Sequence, residues 1–273
     1  MDYDNRFVIK EKKGVKFYTI CSFEKTGLVS HAFTTRIGGV SSGSYSSMNL
    51  GIKTDDDFND VKHNFNIIAD LFNTSLDKIV LSNQVHGTNI RIIDEVESKK
   101  DELNCIDDGV DGLVTNIKNI MICTFYADCV PIFYLDPINK VVALAHAGWR
   151  GTVNKIAGKM VDIMQHTYNS IPEDILVGIG PSIGPCCYEV NSDVYNKFNE
   201  NFTNNGSLLK QQSPTKWQLN LWEANKIVLE EKGIISRNIT VSKICTSCNS
   251  DEFFSYRKDS GVTGRMAAII QLI

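Results

Sequence analysis

Between Met121 and Leu135 the chain is apolar at nearly every position, broken only around Asp128-Cys129 and at Pro131, and Val141 to Ala147 is apolar again. Runs of this kind read as strands buried in a core. Other strand and helix patterns surround them. Phe7 to Ile20 predicts a strand pair turning near Gly14, and Ala32 to Thr35 begins a strand that ends in the turn signal Arg36-Ile37-Gly38-Gly39. Val61, Phe65, Ile68, Ala69 and Phe72 fall at helical spacing, which predicts a helix from about Asp57. Ile79 to Val85 and Asn89 to Ile93 flank His86-Gly87 as a hairpin or bent strand would. Thr152 is expected to open and cap a helix with the stripe Val153, Ile156, Ala157, Met160, Val161 and Met164. Ile175 to Ile179 reads as a strand ending in Gly180-Pro181, helices are expected from about Ser192 and Asn220, and Met266 to Ile273 as a C-terminal strand. The expectation is an α+β fold with mixed sheets in layers.

No repeat, low-complexity tract or linker divides the chain, so a single catalytic domain over residues 1–273 is the simplest account. With 42% hydrophobic and 22% charged residues, a chain of this length can bury a real core without disulfides. A net charge of -4 with scattered Lys and Arg excludes the clustered basic face that nucleic acid requires. The opening Met-Asp-Tyr-Asp-Asn-Arg has no apolar leader segment, and no run approaches membrane length. The expected location is the cytoplasm, with no membrane partner and with the eight cysteines reduced.

The chain has only five histidines. His63 and His166 fall on predicted helix surfaces, and His31 precedes a strand. His86 and His146, together with Cys129, each sit at the end of a strand-like run beside a small or turn-forming residue. Two imidazoles and one thiolate suit zinc with its fourth position open to water. A His or Cys on an apolar strand is also commonly a packed core residue, and spacing alone leaves both readings open.

The motifs Phe33-Thr34-Thr35-Arg36-Ile37-Gly38-Gly39, Asn83-Gln84-Val85-His86-Gly87, Ala127-Asp128-Cys129-Val130-Pro131 and Ala145-His146-Ala147-Gly148-Trp149-Arg150-Gly151 occur in succession. Gly178-Ile179-Gly180-Pro181, Pro185-Cys186-Cys187-Tyr188-Glu189-Val190, Phe253-Phe254-Ser255-Tyr256-Arg257 and Thr263-Gly264-Arg265 follow. In this order they resemble the YfiH-like, or laccase-domain, family, formerly described as multicopper polyphenol oxidases and now regarded as purine nucleoside enzymes. The resemblance spans essentially the whole chain. It implies a sandwich-like core of mixed β-sheets flanked by helices, related to a cysteine-hydrolase fold, and a zinc site at His86, Cys129 and His146. Copper could occupy the same trio.

Around that trio, Arg150 beside a helix start is a candidate anion-binding group, and Arg36 and Arg257 are further candidates. Gln84 could orient a ligand or read a purine edge, or be a structural amide bonded to backbone. Asp128 is a candidate catalytic residue, either bonded to a metal-ligating His or donating a proton; a turn-forming Asp is the plainer reading. Cys186-Cys187 and Cys245-Thr246-Ser247-Cys248 lack a second CxxC pair or a nearby His, and adjacent cysteines rarely share one ion, so these are expected to be reduced thiols lining the core or cleft.

The resemblance implies phosphorolysis of adenosine, inosine, guanosine or methylthioadenosine, and hydrolytic deamination of adenosine, with purine nucleosides and phosphate as small-molecule partners. The His-x-Glu and Pro-Cys-x-x-Cys signature of zinc nucleobase deaminases is absent. Two alternatives stand beside it. One is a cysteine hydrolase or peptidoglycan-precursor-editing amidase with Cys129 as nucleophile and His146 as base. The other is a copper-dependent polyphenol oxidase (laccase), for which five histidines are too few to build an oxygen-reducing copper cluster.

Overall fold

The computed structural model describes residues 6–94, 103–106, 109–203 and 205–273; residues 1–5, read above for a leader, lie outside it. In chain order the elements begin β1 (Phe7–Lys12), β2 (Val15–Ile20), α1 (Cys21–Glu24), β3 (Val29–Thr34), α2 (Phe58–Leu71), β4 (Ile79–Leu81), β5 (Ile90–Ile92) and β6 (Asn104–Cys105). The middle of the chain supplies β7 (Gly112–Thr115), β8 (Met121–Tyr126), β9 (Val130–Asp136), β10 (Val141–Ala147), α3 (Trp149–Val153), α4 (Ile156–Tyr168) and β11 (Leu176–Ile179). Then come β12 (Glu189–Asn191), α5 (Ser192–Asn201), β13 (Leu209–Ser213), β14 (Lys216–Leu219), α6 (Leu221–Glu231), β15 (Ile239–Val241) and β16 (Met266–Leu272).

Seven strands form one mixed sheet in the order β1-β2-β3-β16-β8-β4-β6, and six form another in the order β15-β11-β9-β10-β7-β5. The period-2 alternation of the strands decides how they stack. On β10, Val142 and Leu144 join Phe133 and Leu135 of β9 against Phe33, Ile122, Tyr126 and Ile270 of the larger sheet, filling the space between the two sheets. Val141, Ala143 and Ala145 point the other way, onto Ile156, Ala157, Met160 and Val161 of α4 and Ala224 and Val228 of α6. The outer face of the larger sheet takes Val61, Phe65 and Ile68 of α2. The result is an α+β fold with a two-sheet sandwich covered by helices on both sides. A small third sheet, β12-β14-β13, lies near α5.

Several local expectations hold. α2 starts at Phe58 and α6 at Leu221, next to the expected Asp57 and Asn220, whose side chains the structure shows accepting the Asn59 and Glu223 amides, and β1 and β2 pair around Gly14. Two do not. The stretches on either side of His86 are not a hairpin: β4 pairs in parallel with β8 in the larger sheet, whereas β5 pairs in parallel with β7 in the smaller one. The chain crosses between sheets at His86, and it crosses again at Asp128-Cys129 between β8 and β9. Nor does Thr152 open the helix. α3 starts at Trp149 with Gly148 as N-cap, and Lys155, at φ 60°, separates it from α4. Thr152 is buried and its hydroxyl donates to the Ala147 carbonyl and accepts from Asn225.

His31 belongs to this core. It lies inside β3, and its Nε2 accepts the Ile20 amide at 2.8 Å while the ring packs near Phe23 and Phe133. Burial, helped by the Lys10 charge, lowers its pKa to about 3. The unfolded chain takes up this proton below about pH 6.5 and the folded chain only near pH 3. Acid therefore favours unfolding across that window, by a total on the order of 5 kcal/mol. Urea unfolding measured between these pH values is expected to show stability falling with acidification, and His31→Gln to flatten that slope.

Candidate metal centre and its cavity

Both sheet crossings occur at the same end of the sandwich, where β10 also ends, and this brings His86, Cys129 and His146 together. One donor atom from each lies within 4.8 Å of the others. The His86 and His146 rings stand edge to face with centroids 4.9 Å apart. The crossings are made by backbone that ordinary side chains rarely adopt: φ is 62° at His86 and 87° at Asp128.

Asp111, just before β7 and fully buried, organises the trio. β7 and β10 pair antiparallel with Gly112 opposite Ala145, so Asp111 lies beside His146. Its carbonyl accepts the His146 amide at 2.7 Å and its Oδ1 meets His146 Nδ1 at 2.8 Å. The same carboxylate accepts the amides of Val85, His86 and Gly87 at 3.2, 2.9 and 2.7 Å. Nδ1 of His146 is thereby committed, and its Nε2 is the nitrogen left for an ion.

The electrostatics follow from this contact. Burial alone would raise the Cys129 pKa, but the neighbouring imidazoles of His146 and His86 outweigh it and lower the value to about 6. Burial would lower His146, but the Cys129 thiolate and Asp111 outweigh it and raise it to about 9. Burial likewise works against the Asp111 charge, and the hydrogen bond and charge of His146 with the amides of Gly87 and Val85 overcome it, lowering its pKa. The space beside the donors is reserved. A β-carbon at Gly148 would stand 3.1 Å from both Cys129 Sγ and His86 Cδ2. Two nitrogens and a sulfur of lowered pKa, converging beside a glycine whose β-carbon would crowd two of the donors, fit a bound divalent metal.

The trio opens into a cavity of about 610 Å³, within the range of small-molecule sites. Lys53, Arg150, Arg257 and Arg265 bring positive charge to its lining, and Phe125, Trp149, Tyr188 and Tyr256 bring aromatic faces. Arg150 lies over the Trp149 ring at 4.5 Å. Arg257 lies over Tyr188 and donates to the carbonyls of Cys187 and Glu189 at 3.2 Å each.

The remaining sequence candidates are placed as follows. Gln84 lines the cavity, but its amide pairs with both main-chain groups of Phe125 at 2.8 Å, and Ser82 donates to its oxygen; it is a structural amide. Asp128 also lines the cavity, yet its carboxylate accepts from Thr246 and Ser255 hydroxyls and the Arg257 amide, and bracing these segments is the role its bonds describe. The His-orienting role considered for it is filled by Asp111. Arg36 is not among the cavity-lining residues: it donates to the carbonyls of Ser46 and Ser250 and stacks on Phe254. The helix after Gly148 is five residues long, too short for an anion site at its N-terminus, so Arg150 stands alone there. Asp111, Lys53 and Arg265 were missed. A charged residue inside the run Val110-Asp111-Gly112-Leu113-Val114 was the signal for the first.

Asp111→Asn is expected to weaken retention of the bound metal about 10- to 100-fold in competition with a chelator. Unchanged affinity would contradict the role given to Asp111.

The profile of the family described as "Multi-copper polyphenol oxidoreductase laccase" matches residues 30–273. The chain is 41% identical over 244 residues to a protein of Geobacillus stearothermophilus named purine nucleoside phosphorylase YlmD, covering 87% of this chain and 88% of that one. The crystal structure of YlmD from that organism superposes with a TM-score of 0.88 at 37% identity, over 96% of this chain and 97% of that one. A Bacillus licheniformis protein described as hypothetical protein YfiH gives 0.89 at 33% identity, over 97% and 99%. The chain belongs to the laccase-domain family, whose named relatives include purine nucleoside phosphorylases.

Proposed function

We propose that this chain is a zinc-dependent purine nucleoside phosphorylase whose ion is held by His86, Cys129 and His146. The observation that carries the reading is the meeting of that donor set with the cations Lys53, Arg150, Arg257 and Arg265 around one cavity. When bound, zinc would supply Lewis-acid polarisation at the cavity floor. Everything else falls to the chain's own side chains.

Phosphorolysis joins a phosphate oxygen to ribose C1′ and breaks the bond from C1′ to purine N9, the base leaving with the bonding pair. Such a step needs an anion held in line with the ribose and a fixed base. Arg150 and Arg257 are the groups we assign to phosphate, because each is already steered by an aromatic ring and retains donors beyond those it spends. Trp149, Tyr188 and Tyr256 offer faces on which a purine can stack. The proposed substrates are adenosine, inosine, guanosine and methylthioadenosine, with hydrolytic deamination of adenosine as a second activity. The working location is the cytoplasm, as one domain acting on small molecules without nucleic-acid or membrane partners. No helix among the described residues is long and apolar enough to cross a membrane.

A second reading has a specific observation in its favour. Cys129, His146 and Asp111 also have the order of a nucleophile, a base and the group that orients the base. This would suit a cysteine hydrolase or a peptidoglycan-precursor-editing amidase. The copper-oxidase reading finds less support. Of five histidines, His31 is a core acceptor and His63 and His166 lie exposed on α2 and α4, so only two imidazoles reach the site.

Purified zinc-loaded protein given adenosine and phosphate is expected to form adenine and ribose 1-phosphate, and inosine by the second activity. Arg150→Ala is expected to raise KM for phosphate about tenfold or more, in line with loss of a charged hydrogen bond. Absence of either adenine or inosine would overturn the corresponding activity. A covalent adduct on Cys129 in active, metal-free protein would favour the hydrolase instead.

A further inference from the structure

A second set of metal donors lies away from the trio, built from the four cysteines expected to be separate thiols. β11 and β15 run parallel, with Val177 opposite Ile239 and Ile179 opposite Val241. The pairing continues past both strands: Ser182 donates to the Ile244 carbonyl, and Thr246 donates to the Ser182 carbonyl. The two chain segments therefore leave the sheet side by side. One turns at Gly184, whose carbonyl accepts the amides of Cys187 and Tyr188. The other turns through Cys245 to Cys248. All four sulfurs, of Cys186, Cys187, Cys245 and Cys248, lie within 4.8 Å of one another.

The spacing discriminates between uses of such a cluster. Cys248 Sγ stands 3.5 Å from Cys186 Sγ and 3.4 Å from Cys187 Sγ. A disulfide needs about 2.05 Å. Four thiolates about 2.3 Å from a tetrahedral zinc are about 3.8 Å apart, close to what is found here. Main-chain amides are also aimed at sulfur: Gly184 donates to Cys245 Sγ at 3.2 Å, and the Cys248 amide donates to the same atom. Donors so placed stabilise thiolates, the form that binds metal. Gly184 itself is constrained, since a β-carbon there would meet Trp222 at 2.7 Å and Cys186 Sγ at 3.3 Å. Adjacent cysteines counted against shared ligation in the sequence, but the turn at Gly184 lets both side chains reach one point.

We propose that Cys186, Cys187, Cys245 and Cys248 form a second, structural metal site that takes one tetrahedral zinc ion. Four protein ligands close the coordination sphere, so the site holds structure and does no chemistry. What it holds is the cavity wall. The 183–189 segment carries Ile183 and Tyr188 into the lining and accepts the Arg257 guanidinium on the Cys187 and Glu189 carbonyls. The 245–248 segment carries Thr246, which donates to Asp128 at 2.6 Å beside Cys129. An ion at the four sulfurs would pin these two segments to each other and brace the cavity wall against the Asp128-Cys129 crossing, which Thr246 and the Ile183 amide both contact through Asp128. The inference rests on the sulfur geometry and stands whether or not the nucleoside reading does.

The test uses the whole chain, purified with zinc present throughout. Elemental analysis should find one zinc equivalent fewer in Cys186→Ser/Cys248→Ser than in the parent, and Cys129→Ser should retain that equivalent. Cobalt-loaded Cys129→Ser should show the strong thiolate-to-cobalt absorption of a multi-thiolate tetrahedral site, and the double variant should lose it. A measurement on the unaltered chain guards against a misfolded variant. Peptide mapping should find these four thiols protected from alkylation until a chelator removes the metal, and all four modified afterwards. Equal metal content in the double variant, four thiols freely alkylated in the zinc-loaded parent, or a disulfide within the cluster would overturn the proposal.

Discussion

The candidate centre depends on one buried carboxylate. Asp111 has no exposed surface, and its ionised form is tolerated only because its oxygens receive three successive main-chain amides and the His146 imidazole. The three amides come from the turn that carries His86, and the imidazole comes from β10. A single charge therefore fixes two of the three donors relative to each other. The cost of burying it is met by hydrogen bonds that also set the geometry of the site. Removing the carboxylate would leave those amides unpaired and the imidazole unoriented.

The sandwich explains why the three donors meet. Each sheet is a ladder whose side chains alternate between two largely apolar layers, and the polar groups held there, such as the Tyr126 hydroxyl and the His31 ring, are hydrogen-bonded. The chain passes from one sheet to the other at His86 and at Asp128-Cys129, where the donor His86 itself and Asp128, just before the donor Cys129, take left-handed backbone. Crossing points interrupt the apolar layers at one end of the sandwich, and His146, near the end of β10, faces the same opening. Behind them, Gly148 keeps a side chain out of the donors' space. The rigid sheets supply the precision, and α3 with the loops carrying Lys53, Tyr188, Tyr256, Arg257 and Arg265 supplies most of the cations and rings that line the cavity.

Much of this was legible before the structure. Periodicity and local residue patterns located most strands and the starts of α2 and α6, because those signals are local. Scarcity of histidine and the order of the motifs pointed to His86, Cys129 and His146. What failed was non-local. The residues around His86 look like a hairpin because alternation says nothing about which sheet a strand joins. Thr152 has the chemistry of a cap, and here it spends that chemistry inside the fold on Ala147 and Asn225. Asp111 carried no motif that set it apart, because its partners Val85, His86, Gly87 and His146 are distant in sequence, and the main-chain partners of Gln84 and Arg36 are non-local too. The four cysteines looked unrelated in pairs, because only the parallel pairing of β11 with β15 brings them together.

The central claim is that His86, Cys129 and His146 hold one metal ion, zinc, at the floor of the cavity. Anomalous diffraction recorded on both sides of the zinc absorption edge tests it most directly. The account predicts a peak, present above the edge and lost below it, at bonding distance from Cys129 Sγ, His146 Nε2 and a ring nitrogen of His86. Crystals of active protein with no peak at that point, or with a copper signature there in place of zinc, would contradict it.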